Sequence, residues 1–394
     1  KLDSLINAKD KVPFKIFDKK NAEMLFGKNL NISASQLEKF NLCRFSYFCN
    51  YGLNVRERQR AEINPMQYGT IVHYILERFF GEYTKEEYLS LEEDKFQKIV
   101  CAYLAEYAVK YFGEEQLESN SFTYRLKTIL DNVMYLMKHI MEELSQSEFF
   151  VADCELKIGE DIPSYTIVLP DGHKIAVCGS VDRVDIMQRA DITYLRIIDY
   201  KTGTKQFKLS DILYGINLQM LLYLHSIEAS GGDKYGEIVP AGILYMPATV
   251  PYISSDSLKS IDKLPDELNK KLKMNGLLLK DTEIIHGMDK TDAATYIPVK
   301  IKAGEPVSST SLATLAEFGK IFKKVDMLIP EMGKNIYNGN IEAKPLKGGH
   351  DSCEYCPYDS VCAYRQSNPI TCFSVDNKTV IEEITNEING KEEE

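Results

Sequence analysis

Two stretches decide the fold: Cys178-Gly-Ser-Val-Asp182-Arg-Val-Asp185 and Ile198-Asp199-Tyr-Lys201-Thr-Gly203. In each, an apolar run passes straight into charge, and each reads as one strand of a hairpin. Asp182 and Asp199 stand 17 residues apart on neighbouring strands. Asp199 and Lys201, two apart, share one strand face. Two carboxylates and an ammonium therefore surround one point. Carboxylate oxygens suit hard divalent cations. Phosphodiester hydrolysis needs a Lewis acid at a non-bridging oxygen and an activated water. Lys201 would orient or deprotonate that water and offset developing negative charge. Asp-x-Lys alone is common, and a hairpin of solvated charges is its plainer reading. Val181 before Asp182, Ile197-Ile198 before Asp199 and the tight exit at Gly203 favour a site.

Around the hairpin the period changes twice. Residues 149–158, 164–169, 173–187 and 193–201 read as strands, with Pro170-Asp-Gly172 as a turn. Upstream, Ser35-Gln-Leu-Glu38 is a capping box opening a helix that runs past Cys43 toward Tyr51. Further helical patterns cover 68–80, 85–112 and 121–147. The core stripe of the last is Leu126, Ile129, Leu130, Val133, Leu136, Met137 and Ile140. Downstream come a helix over 211–229 ending at Gly231-Gly232, a strand over 237–247 and a helix over 311–338. Residues 250–310 are polar and irregular and read as an insertion. Helices, then strands, then a crossover helix and strand indicate an α/β fold with a mixed sheet flanked by helices. The domain spans 31–375, after a linker over 1–30 and before a frayed acidic tail over 376–394.

The 394 residues carry 47 basic and 58 acidic side chains, a net charge of −11, which argues against indiscriminate nucleic-acid coating. A nuclease needs only a local basic path, and Arg44, Arg56, Arg58, Arg60 and Arg183 are candidates for it. No apolar run approaches the ~18 residues of a membrane span. There is no internal repeat, secretory signal or Gly-x4-Gly-Lys-Ser/Thr phosphate loop. A first residue of Lys1 rather than Met reads as a fragment of a longer chain.

Nine cysteines suggest no disulfide framework, so a reducing cytoplasm is expected. Cys101, Cys154 and Cys178 read as buried thiols. Cys353-x2-Cys356-x5-Cys362 has ligand-like spacing but is one thiolate short of four. Cys43 is the best fourth and Cys49 its rival; free loop thiols are the alternative to any cluster. Spacing does not choose between zinc and iron–sulfur.

Gly179-x-x-Asp182-Arg-x-Asp185 followed by Asp199-Tyr-Lys201-Thr-Gly203 resembles the core of the PD-(D/E)XK nucleases of the RecB type. Gly69-Thr-Ile-Val-His73 and Gln219-Met-Leu-Leu-Tyr223 match two further motifs, in family order. Val181 stands where the family name has proline. The resemblance implies a restriction-endonuclease-like sheet and metal ligation by Asp182, Asp199, His73 and the Tyr200 carbonyl, with Mg²⁺ or Mn²⁺ bound. Lys201 then serves the water, and Gln219 and Tyr223 contact the strand or steady the site. Glu155 resembles an acidic position in some relatives, against a plain surface carboxylate. Arg183, beside Asp182, is a further candidate for a site role.

The segment Ser33-x-Ser-Gln-Leu-Glu38-x4-Cys43, with the three late cysteines, is similar to the carboxy-terminal nuclease domains of the AddB family. That likeness implies a [4Fe–4S] cluster on Cys43, Cys353, Cys356 and Cys362. It also implies an AddA-like helicase–nuclease partner in the bacterial cytoplasm. The substrate would be a single DNA strand, cut 5′ to 3′ during break resection and recombinational repair. Two rivals are a free-standing exonuclease of the CRISPR-adaptation type and a DNA-binding scaffold with an idle site.

Overall fold

The computed structural model describes residues 15–56, 65–203, 205–251, 264–291, 294–308, 310–362, 364 and 369–392. Among its strands are β1 (Asn29–Ile32), β2 (Phe150–Ile158), β3 (Thr166–Val168), β4 (Lys174–Val177), β5 (Gly179–Arg189), β6 (Ile192–Lys201), β7 (Glu237–Pro247), β8 (Asn275–Leu279) and β9 (Leu312–Ala313). A six-stranded sheet runs in the order β9-β8-β7-β6-β5-β2. β5 is antiparallel to β2 and β6, whereas β6 and β7 are parallel. The parallel step requires a crossover. The fold is thus a mixed sheet flanked by helices, of the restriction-endonuclease-like kind.

Among its helices are α1 (Lys19–Phe26), α2 (Ala34–Leu42), α3 (Arg44–Tyr47), α4 (Pro65–Glu82), α5 (Lys85–Leu89), α6 (Glu93–Phe112), α7 (Asn120–Gln146), α8 (Gln219–Ser230), α9 (Leu315–Tyr337) and α10 (Asn377–Glu392). Helix α8 is the crossover, packed on β6, β7 and α9, and α4 packs on β2 and β6. Along α7, Ile129, Val133, Leu136, Met137 and Ile140 are buried, while Leu126 and Leu130 only flank the core. Fully burying one such side chain stabilises by about 1.5–3 kcal/mol.

Several expectations need correction. The capping box is Ser33 with Gln36, not Ser35 with Glu38. Glu38 instead accepts the N–H groups of Leu218 (2.7 Å) and Gln219 (3.2 Å), capping α8 from another part of the chain. The helix expected to run toward Tyr51 breaks at Cys43, whose backbone is extended, and resumes as α3 and a π-turn over Phe48–Gly52. The pattern over 85–112 is interrupted between α5 and α6. The strand expected over 173–187 divides at Cys178, because β4 belongs to a second sheet with β1 and β3. The helix expected from Asp211 starts as a 3₁₀ stretch, Leu209–Tyr214, and is α-helical only from Gln219.

Residues 250–310 are not merely irregular: β8 lies within them and hydrogen-bonds to β7 in the main sheet. The expected linker contributes a buried Ala22 and the paired strand β1; its first 14 residues lie outside the described ones. The acidic tail is helix α10. It buries Val380 and Ile384, and Glu387 accepts from Lys324 on α9 at 2.6 Å. Helical spacing of those two aliphatics outweighs the surrounding charge. Cys101, Cys154 and Cys178 are half-buried rather than buried.

Candidate active site

β2, β5 and β6 bring Glu155, Asp182 and Asp199 side by side. Paired residues Cys154↔Arg183 and Leu156↔Val181 flank the Glu155–Asp182 position, and Arg183↔Ile198 adjoins the Asp182–Asp199 position. Opposed residues in antiparallel strands face the same side. The ladder opens at this row. Glu155 adopts a left-handed backbone, φ 50°, which costs a non-glycine residue roughly 1–3 kcal/mol. The Tyr200 N–H donates to Asp182 Oδ2 at 2.8 Å. Strain at a row of carboxylates is what a ligand-binding site, rather than a plain sheet, would require.

His73, on α4, closes the group. Its Nδ1 lies 3.2 Å from Glu155 Oε1 and 3.6 Å from Asp182 Oδ2, and its Nε2 lies 3.3 Å from the Tyr200 carbonyl. One donor atom each from His73, Glu155 and Asp182 falls within 4.8 Å of the others. Lys201 Nζ sits 2.5 Å from Asp199 Oδ2, without the angles of a hydrogen bond, so that buried oxygen keeps an unused acceptor capacity.

The electrostatics of the group favour positive charge at its centre. Burial and the neighbouring Asp199 push Asp182 up to about 7. Burial works against His73 being charged, but the Glu155 hydrogen bond and the Asp182 charge outweigh it and hold the imidazole up to about 9. Burial would raise Glu155, yet hydrogen bonds from His73 and Ser180 keep it below its ordinary value. Oxygen donors with one imidazole fit Mg²⁺ or Mn²⁺. A divalent ion would use His73 as a neutral ligand and displace its proton.

A cleft of ≈ 670 Å³ opens over this point, lined by His73, Glu155, Tyr200, Lys201 and Lys205 among others. Lys205 escaped the sequence reading; only its nearness to Lys201 could have flagged it. Tyr223 does not act at the cleft's open side. Its hydroxyl takes the Ala34 N–H and lies where a Cβ on Gly179 would come within 2.1 Å, so glycine is required at the start of β5. Gln219 is half-buried at the first turn of α8.

Arg183 is no DNA contact. It is fully buried and pairs with Asp185 (2.8 Å) and Glu143 of α7 (3.2 Å), which also bind the buried Arg196. Its Nη1 donates to the Tyr200 hydroxyl at 3.3 Å. The four charges clamp α7 to the strands carrying Asp182 and Asp199. Arg44 is half-buried with its guanidinium 5.5 Å from the Phe40 ring; Arg56 is exposed; Arg58 and Arg60 lie outside the described residues.

Across the molecule, Cys43, Cys353, Cys356 and Cys362 line a cavity of ≈ 130 Å³; Cys49 packs nearby but is not among its lining residues. Burial raises Cys43, while the N–H groups of Phe45 and Ser46 hydrogen-bond its sulfur. The helix breaks at this residue, whose backbone is extended. Among the described residues no three of these sulfurs lie within 4.8 Å of one another. A tetrahedral zinc site, with Zn–S of about 2.3 Å, would hold them about 3.8 Å apart.

This fold and this site define a restriction-endonuclease-like nuclease class. The family model of the PD-(D/E)XK nuclease superfamily matches residues 31–363, and the chain belongs to that superfamily. It is similar to proteins named as a subunit of an ATP-dependent helicase/deoxyribonuclease. One, from Thermoanaerobacter sp. (strain X514), is 35% identical over 352 residues, 86% of this chain and 30% of the relative. Another, from Clostridium kluyveri, is 34% identical over 397 residues, covering 96% and 34% respectively. A third, from Ruminiclostridium cellulolyticum, is 33% identical over 389 residues, covering 95% and 33%. The chain thus spans about a third of the length of the curated relatives it matches. Among the described residues no helix is long and apolar enough to cross a membrane.

Proposed function

We propose that the chain is the nuclease part of a helicase–nuclease and hydrolyses single-stranded DNA from a 5′ end, in the bacterial cytoplasm, beside an AddA-like helicase partner. The observation that carries this is the opened ladder, where Glu155 and Asp182 meet His73 and the adjoining Asp199 meets Lys201. A divalent cation bound there would act as a Lewis acid on the scissile phosphate and acidify a water. His73, Asp182, Asp199 and the Tyr200 carbonyl would hold it, with Glu155 as a further ligand. The chain's own contribution is positional. The Tyr200 N–H fixes the Asp182 carboxylate, and the Arg183–Glu143 clamp keeps that strand from sliding. Lys201, 27% exposed, reaches both Asp199 and the cleft, so its ammonium can orient a water and neutralise charge on the phosphate.

Cys43, Cys353, Cys356 and Cys362 would hold a [4Fe–4S] cluster. Four thiols around one cavity supply the ligand number such a cluster needs. Its role is a staple between chain segments far apart in sequence.

The test is degradation of end-labelled single strands. With Mg²⁺ or Mn²⁺ the chain should shorten the strand from its 5′ end, and EDTA should stop it. Release from the 3′ end would overturn the polarity; no cleavage with either metal, alone or with the helicase partner, would overturn the function.

A further inference from the structure

One wall of the catalytic cleft is built by α6, which contributes no ligand or acid–base group. Tyr74, Tyr107 and Tyr111 line the cleft with His73 and Lys201. Tyr74 follows His73 on α4, and its ring centroid lies 5.2 Å from that of Tyr107. The Tyr107 centroid lies 4.4 Å from that of Tyr111, with 34° between the planes. The rings form a stair rising from beside the candidate metal ligand to solvent. Tyr107 is only 5% exposed, whereas Tyr111, at the top, is 55% exposed.

An aromatic ring that open, steadied from one side by a packed neighbour, is suited to stack against another flat group. Packing on Tyr107 restricts the ring before any ligand arrives, so little ordering entropy remains to be lost. The surroundings say which flat group. Lys157, Lys201 and Lys205 line the same cleft beside the carboxylates of Glu77 and Glu155, and Lys110 Nζ lies 5.1 Å from the Tyr111 centroid. Ammonium groups interleaved with an open aromatic ring are what a single nucleic-acid strand needs: cations for its phosphates, a π-face for a base. A duplex keeps its base faces stacked inside and offers none to the ring.

We infer that Tyr111 is a stacking platform for a base of the strand whose phosphate lies at the His73 site. The inference deepens the nuclease reading and rests on it for the strand's course. Because every base has a π-face, the platform would bind without reading sequence. It would also make the cleft prefer single strands.

Binding of a fluorescent oligothymidylate, followed by anisotropy in EDTA, tests it. Tyr111→Ala should weaken binding about tenfold, and Tyr111→Phe, which keeps the ring, should stay within about twofold of the original chain. On a strand of equal length made of abasic sites, all three proteins should bind alike. Equal binding of oligothymidylate by the original chain and Tyr111→Ala would overturn the platform. So would an equal loss on the abasic strand, which would mean the substitution acts through charge or fold. Since no strand is cut in EDTA, this result is separate from cleavage, where failure of the nuclease reading would appear.

Discussion

Lys201→Ala is expected to lower the rate of metal-dependent strand cleavage by about 10²–10³-fold and Asp199→Asn by about 10³-fold or more, both without loss of fold. Removing one preorganised stabiliser of transition-state charge commonly costs about 10²–10³ in rate, and Asp199 adds loss of a metal oxygen. Folding should respond in the opposite sense for Asp199→Asn. The Asp199 charge helps push Asp182 up to about 7. Taking it away relieves a repulsion between two buried carboxylates, so the metal-free variant should melt no lower than the original chain. Such opposition of stability and activity is common at sites built for charge. Rates on labelled strands and melting curves in EDTA read the two effects separately. Undiminished cleavage by both variants would refute the site; a large drop in melting temperature for both would recast these residues as structural.

Cys43→Ala should lose the absorbance near 400 nm expected of an iron–sulfur chain and melt about 7 °C lower. The link from Cys43 to Cys353 closes a loop of about 310 residues, which removes roughly 5–6 kcal/mol of unfolded-chain entropy. A chain of this size has an unfolding entropy near 0.8 kcal/mol/K, which converts that energy to the temperature given. Cys49→Ala is the control, because Cys49 does not line the cavity. It should keep the colour. Loss of colour in Cys49→Ala but not in Cys43→Ala would reverse the ligand assignment, and a colourless chain from anaerobic preparation would remove the cluster.

Where chemistry needs fixed residue types at short spacing, the sequence was legible. Asp199-x-Lys201 lies on one strand, and strand alternation alone puts the two side chains together. The Cys353-x2-Cys356-x5-Cys362 loop is likewise local. His73 was reached through a motif, since nothing in its own neighbourhood says what faces it. Arg183 shows the limit. A charged residue one position from Asp182 looks solvent-facing until Glu143, 40 residues away, is seen to meet it in the core. Glu38 and α10 misled for a related reason. Local rules assigned Glu38 to its own helix and the tail to solvent. Long-range partners, the first turn of α8 and the apolar side of α9, decided otherwise. Backbone strain at Glu155 has no signature in residue type at all.

The proposed chemistry depends on one cation held where β2, β5 and β6 meet α4. A crystal of the chain soaked in Mn²⁺ and measured at the manganese absorption edge tests this most directly. The expected result is an anomalous peak within about 2.2 Å of carboxylate oxygens of Asp182 and Asp199 and of a His73 ring nitrogen. A clear peak elsewhere, or none at saturating Mn²⁺, would contradict it.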